Sequence, residues 1–420
     1  MELLYPVVKE CRVCKNPSLI PCINLGAQYL SSVFPENLQY RRHMSQLPLD
    51  LVLCEKRDDD STCGLLQLKH NLDVSVMYQA YPYTSSTNSS MPAILKDVAQ
   101  SGRAFGHLQS DDVILDIGSN DGTLLSFFQN EGFVLIGIDP AQNIKLVFDS
   151  KDFIHVRDFF NIETYNSVAS KKARLVFSIA MFYHLDDPVS FSQHVAECMA
   201  DDGIWIIQMA YLPTMLQTNM YDNIVHEHRG YYALQHLKWI MDSVGLEVFD
   251  AQPNNVYGGS LRVFVKKKGY NAYPQTQDYQ VNLRKELELG LFDLSTYLAF
   301  MSRIEKTRLD LCNLFRKLKS QGKTIWVYGA STKGNTILQY CGLDSNDIDA
   351  ACDTNSFKVG RYMIGSDIPI KDETSLHAVR PDYLLALPYS FAEDFLKREA
   401  ELVAKGTKFI VPLPEVRIIP

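Results

Sequence analysis

The sequence predicts an α/β chain in which two doubly wound, mostly parallel sheets follow a small cysteine-bearing segment. Three observations predict it. Val113-Ile-Leu-Asp116-Ile-Gly118-Ser-Asn120-Asp121-Gly122-Thr-Leu-Leu125 passes from an apolar strand through an acidic turn with two glycines into a helix start. Thr324-Ile-Trp-Val-Tyr328-Gly329-Ala-Ser331-Thr-Lys333-Gly334-Asn335 repeats that layout in the last third of the chain. Cys11-Arg-Val-Cys14 and the pair Cys54 and Cys63 stand ahead of both.

The 420 residues leave room for two or three domains. We place the boundaries at 1–75, 76–268 and 269–420. Hydrophobic content of 46% and charged content of 21% suit a folded globular chain. A net charge of −8 argues against a broad nucleic-acid surface. No run approaches the ~18 apolar residues of a membrane span, and Met-Glu-Leu-Leu-Tyr-Pro lacks the layout of a signal peptide. We therefore expect a cytoplasmic protein, monomeric or a small homo-oligomer, with neither nucleic acid nor membrane as partner. Nine cysteines in that setting read as thiols or metal ligands rather than disulfides.

Cys11, Cys14, Cys54 and Cys63 can present four thiolates tetrahedrally to a structural zinc ion, with no position open to water. The charged stretch between Cys54 and Cys63 is long for a knuckle, so we expect it to bulge as a solvated loop, and Cys22 competes as a ligand. Tyr81 and Tyr83, in a tyrosine-then-hydroxyl stretch, suit either a packed linker or the rim of a pocket.

In the middle segment, Val134-Leu-Ile-Gly-Ile138 forms a second buried strand and closes on Asp139, 23 positions after Asp116. A carboxylate at that strand end is placed to accept the hydroxyls of a ribose. Gly118 and Gly122 let the backbone turn sharply beside a ligand. The turn departs from the G-x-G-x-x-G that seats a pyrophosphate, and Asp116 and Asp121 would repel one. S-adenosylmethionine carries no phosphate and ends in a sulfonium cation, so an acidic polar turn suits it. The expected cofactor-binding residues are Asp116, Gly118, Asn120, Gly122, Asp139 and Pro140, with Asp158, Phe159 and Ala180 from later strand ends.

His184 follows the apolar run Leu175–Ala180, which puts it at the carboxyl edge of the sheet, where ligands bind in such folds. His226-Glu227-His228 lacks the spacing of a zincin helix. If extended, it sets both histidines on one side and Glu227 on the other. A neighbouring carboxylate fixes an imidazole's tautomer and raises its basicity, which prepares a general base; the plainer reading is a polar surface turn. Arg262, on the strand after Gly258-Gly259, is available to an anion. Apolar spacing over 282–320 predicts one long amphipathic helix joining two domains. Lys333 and Asn335, at the start of the helix after Ser331, could cradle a phosphate, with Asp353 at a second ribose-acid position; alternatively that sheet binds nothing.

These phrases, in this order, resemble the sugar C-methyltransferase family, the TDP-4-keto-deoxysugar C-3 methyltransferases. The resemblance also runs through Cys63-Gly-Leu-Leu-Gln-Leu68, Gly137-Ile-Asp-Pro140 and Ile410-Val-Pro412. It implies a class I methyltransferase Rossmann-like domain between a small zinc-binding N-terminal domain and a second Rossmann-like C-terminal domain. It implies S-adenosylmethionine and structural Zn2+. It further implies methylation at C3 of a nucleotide-linked 4-keto-deoxysugar, with His228 as the base that forms an enolate. Glu227 and His184 would support that base, and a family tyrosine falls on Tyr81 or Tyr83. We expect His226, Arg262, Lys333 and Asn335 to hold the sugar nucleotide. Val225 and Tyr257 stand where the family usually has tyrosine and histidine. The alternatives are methylation on oxygen or nitrogen of another small molecule, or an inactive zinc-containing binding protein.

Overall fold

The computed structural model describes residues 5–73, 83–87, 90–105 and 108–420. Three sheets organise it. The first is antiparallel and contains β1 (Leu19–Gln28), β2 (Leu47–Cys54) and β3 (Leu66–Leu68). Its inner face is a run of buried leucines, Leu49, Leu51, Leu53 and Leu66 among them.

The second sheet carries the middle segment. Helix α1 (Ser90–Phe105) leads into β4 (Val113–Ile117), β5 (Val134–Ile138), β6 (Phe153–Val156) and β7 (Ala173–Ile179). Helix α2 (Pro188–Cys198) and β8 (Met199–Ala210) follow. β9 (Gly230–Tyr231) leaves this sheet to become the fourth strand of the first, beside β3. Helix α3 (Leu234–Ser243), β10 (Leu246–Asn254) and β11 (Ser260–Lys267) complete the segment. The order is β10-β11-β8-β7-β4-β5-β6. β4 to β8 run parallel and β11 is antiparallel between β8 and β10. β4 and β7 are wholly buried, as their unbroken apolar sequences require. The strand order reverses between β4 and β7, and that switch point is where a crevice opens.

The expected helix over 282–320 is two helices, α4 (Gln277–Glu288) and α5 (Leu294–Ser320). Gly290 at φ +62° turns the chain between them, and Leu291 is buried there. The helix expected after the Gly122 turn is a single turn, Thr123–Ser126. Phe127 and Phe128 close on i−3 carbonyls instead of continuing it.

The third sheet has β12 (Ile325–Tyr328), helix α6 (Thr332–Cys341), β13 (Ala350–Cys352), β14 (Ile370–Lys371), β15 (Tyr383–Ala386), β16 (Lys408–Val411) and β17 (Arg417–Ile419). Its order is β14-β13-β12-β15-β16-β17, parallel except for β17. No helix among the described residues is long and apolar enough to cross a membrane.

Candidate active site

A cavity of about 550 Å³ opens at the carboxyl ends of β4, β5 and β7 and extends to the carboxyl ends of β12 and β15. Two switch points, one per parallel sheet, therefore face the same space.

On the middle-sheet side the turn after β4 forms the floor. Gly118 at φ +78° brings backbone to the cavity, and a Cβ there would meet Met181 at 3.2 Å. Asn120, also left-handed at φ +50°, donates its N–H to Asp139 Oδ2 at 2.9 Å. Ala141 N–H reaches Asp139 Oδ1 at 2.8 Å. Each carboxylate oxygen keeps a lone pair, so Asp139 can still accept ribose hydroxyls. The Asn120 side chain also fastens the segment that carries Tyr83. Its Oδ1 accepts from Ser85 N–H at 2.9 Å and its Nδ2 donates to Tyr83 O at 3.2 Å. Pro140, Phe159, Ala180 and Tyr83 line the same space.

Asp116 lies beneath the turn, 3% exposed, with Asp139 and Asp121 nearby. Burial and those two carboxylates push it up to about 8, and burial likewise raises Asp139. A cation in this pocket would relieve the strain of crowded carboxylates; a pyrophosphate would add to it. The residues therefore fit S-adenosylmethionine. Gly122 backs the turn, against Phe148 and Phe153, and Asp158 is exposed and caps its own neighbour's N–H. Neither lines the cavity.

The loops after β7 and before β9 supply the imidazoles. His184 and His228 lie with ring centroids 5.4 Å apart, and the Tyr183 ring packs against His228 at 4.3 Å, tilted by 53°. His228 Nδ1 is 2.8 Å from Asn223 O. A carbonyl only accepts, so Nδ1 carries the proton and Nε2 keeps its lone pair. Burial, His184 and Lys333 hold His228 well below the usual imidazole range, and burial with Arg229 holds His184 at about 3. Both rings are neutral at neutral pH.

His226-Glu227-His228 is not extended, so the side-by-side placing of the two histidines that an extended segment would give does not occur. Residues 226 and 227 form a turn, closed by His228 N–H to Val225 O at 3.1 Å. Glu227 and His228 therefore share the cavity, and His226 turns away to Leu47 O at 3.2 Å and the Tyr5 ring. Burial raises the Glu227 carboxyl, which the Ser32 hydroxyl partly offsets.

The C-terminal sheet closes the other side. Lys333, in the first turn of α6, lines the cavity, and burial lowers its ammonium while Asp222 supports it. Asp222 is buried and accepts from Tyr389 Oη at 3.0 Å. Lys358 lines the wall while bonded to Asp353 and Ala330 O. Asn335 does not reach the cavity: it donates to Ser31 O at 2.7 Å, joining α6 to the turn that follows β1. Arg262 is also elsewhere, buried against Gln208 and paired with Asp97 of α1 at 2.6 Å. Tyr81 lies outside the described residues. Asp222, Tyr183 and Tyr389 escaped sequence reasoning. The rule that ligands gather at the carboxyl ends of parallel strands, applied to β15, points to Tyr389.

Cys11, Cys14, Cys54 and Cys63 bring four Sγ atoms within 4.8 Å of one another. Cys11–Cys63 and Cys14–Cys54 are 3.4 and 3.5 Å apart. Tetrahedral zinc with bonds of about 2.3 Å needs sulfurs about 3.8 Å apart, so the cluster fits. The charged loop after Cys54 bulges as expected, tied by Arg57 N–H to Thr62 Oγ1 at 2.7 Å. Cys22 is separate, on β1 with its thiol to Leu51 O.

Residues 93–251 match a family model described as a methyltransferase domain, and 255–414 one described as a C-methyltransferase C-terminal domain. Residues 11–78 match a model for a domain proposed to bind zinc. The C-methyltransferase NovU of Streptomyces niveus is 30% identical over 427 residues, covering 100% of this chain and 99% of that one. Among solved structures, the plantazolicin methyltransferase BpumL with SAH is 12% identical, covering 43% of this chain and 86% of its own at a TM-score of 0.33. The Burkholderia thailandensis 1,6-didemethyltoxoflavin-N1-methyltransferase is 14% identical, covering 42% and 79% at a TM-score of 0.31. The chain belongs to the C-methyltransferase family: it is an S-adenosylmethionine-dependent methyltransferase with a zinc-binding N-terminal domain.

Proposed function

We propose that this enzyme methylates carbon, at C3 of a TDP-linked 4-keto-deoxysugar in branched deoxysugar biosynthesis. The observation that carries the reading is the His228 ring. Its Nδ1–H is committed to Asn223 O at 2.8 Å, so an unprotonated Nε2 is available in a cavity shared with the cofactor turn.

The C4 ketone acidifies the adjacent C3–H. His228 Nε2 takes that proton, and the C–H electron pair becomes the C3=C4 bond of an enolate, with the charge on O4. Neutral His184, its ring 5.4 Å from that of His228, and Lys333, on the wall of the same cavity, are the groups that would stabilise that oxygen. S-adenosylmethionine, when bound, would supply an electrophilic methyl group on its sulfonium sulfur and would leave as the thioether S-adenosylhomocysteine, the sulfur keeping the C–S electron pair. Asp139, Gly118 and Asn120 hold the cofactor end, and Glu227 with its Ser32 contact supports the catalytic turn. The chain's other task is alignment and exclusion of water, for which a cavity closed by two sheets is suited. The nucleotide lies towards α6 and β15, where Lys358 and Ser331 line the wall. His226, Arg262 and Asn335 hold loops and helices rather than substrate.

The test is incubation with labelled S-adenosylmethionine and a panel of TDP-linked 4-keto-deoxysugars in deuterated water. We expect methyl incorporation on carbon, and deuterium at C3 of the sugar recovered unmethylated. Label on oxygen or nitrogen, without exchange at C3, would refute carbon chemistry.

A further inference from the structure

The zinc-binding segment and the catalytic loop are built into one another. β9 directly follows His228 and Arg229, and it pairs with Leu66 and Gln67 of β3, just behind the ligand Cys63. Leu68 N–H donates to Arg229 O at 3.0 Å. A second link is ionic. Arg12, inside the Cys11–Cys14 knuckle, meets Asp186 Oδ1 at 2.7 Å, and Arg229 Nη1 meets the same oxygen at 2.7 Å. Asp186 stands two residues after His184, and Arg229 one after His228. Arg229 N–H also donates to Tyr183 O at 2.8 Å.

Both guanidinium side chains are nearly inaccessible, 2% and 3% exposed. Two buried cations around one carboxylate leave positive charge uncompensated, which is costly in a low dielectric. Four thiolates on Zn2+ carry two net negative charges, and the knuckle that would hold them contains Arg12. An occupied cysteine site would also fix the knuckle from which Arg12 reaches Asp186.

From this we infer that Arg12 is a positioning residue: through Asp186 and Arg229, the cysteine knuckle sets the relative placement of the His184 and His228 loops. The inference rests on the reading of His228 as the base. The protein then needs its zinc for the geometry of proton removal, separately from cofactor binding.

The test compares Arg12→Gln, Asp186→Asn and zinc-stripped wild type with the holoenzyme. Zinc content, S-adenosylmethionine Kd by calorimetry, and kcat and KM on the panel sugar that wild type methylates are measured. So is the ring N–H proton resonance of His228, assigned by its absence from His228→Gln. We expect Arg12→Gln to keep its zinc and its cofactor Kd while kcat falls about 10- to 100-fold, the scale of a ~1 Å misplacement. KM should change little, and the His228 resonance should shift. Asp186→Asn, exposed enough to fold normally, should show the same split. Zinc-stripped protein should bind cofactor and lose the resonance. Wild-type kcat with an unshifted resonance in both variants would overturn the inference. Loss of cofactor binding on zinc removal would do so as well, because zinc would then serve the whole fold. Failure of the base reading looks different: His228→Gln would turn over normally, and the resonance in Arg12→Gln would still report whether Arg12 places that ring.

Discussion

Replacing His228 by Gln isolates the step on which the chemistry turns. The wild-type ring donates from Nδ1 to Asn223 O at 2.8 Å. A glutamine amide can keep a donor for that carbonyl and nearly fills the same space, so the turn over 225–228 should survive. It offers no basic nitrogen. A positioned general base contributes about 10²- to 10⁴-fold, or about 3–5 kcal/mol of barrier. We expect that loss in kcat and in C3 deuterium wash-in, with cofactor Kd unchanged by calorimetry. The pH profile gives a second check. Burial, His184 and Lys333 hold His228 below its ordinary value, and the neutral ring is the active form. Activity should therefore stay flat through neutrality and fall only as pH drops below about 6.5, the ordinary imidazole value. Lys333→Met removes a neighbouring cation and should move that acid limb to higher pH. Wild-type methyl transfer by His228→Gln, or an acid limb lying above neutrality in the wild type, would refute the reasoning.

Asp139→Asn should weaken S-adenosylmethionine about 10- to 100-fold in calorimetry. The amide faces two backbone N–H donors with one donor of its own, and each charged hydrogen bond carries roughly 1.5–3 kcal/mol. Cys54→Ser should lose zinc by elemental analysis and lower Tm, since a small metal-tied sheet gains much of its stability from the ion. His236 predicts acid lability. Its Nδ1 accepts from Ala233 N–H at 2.9 Å, so the neutral ring's Nε2–H donates to Gly64 O, and burial holds the group at about 4. The unfolded ring binds its proton first, so stability falls as pH drops from about 6.5 towards 4, by about 3 kcal/mol in all. His236→Gln should flatten that part of the pH dependence in urea unfolding, measured as the difference from wild type.

The middle fold was legible because its signals are local. An apolar run, a small-residue turn and a strand-ending acid are contiguous, and Gly118 and Asp139 lie where that order puts them. The cysteines were legible because tetrahedral thiolate binding needs only four of them and enough slack. His184 followed from the rule that strand ends carry sites, and Lys333 from its place at a helix start. Helix 282–320 was misjudged because Gly290 breaks it without interrupting the apolar spacing.

What the sequence alone determined is the succession of elements and the kind of ligand each turn tolerates, since both depend on neighbours within a few residues. What only the tertiary structure decided is where side chains go once distant elements meet. Arg262 is neutralised by Asp97, Asn335 is spent on Ser31, and a tight turn sends His226 to Leu47 and His228 to the cavity. Asp222 and Tyr389, 167 residues apart, become partners on one wall. The reason is physical: a buried polar group must find a partner somewhere, and which partner is near depends on how three sheets pack, which no window of sequence contains.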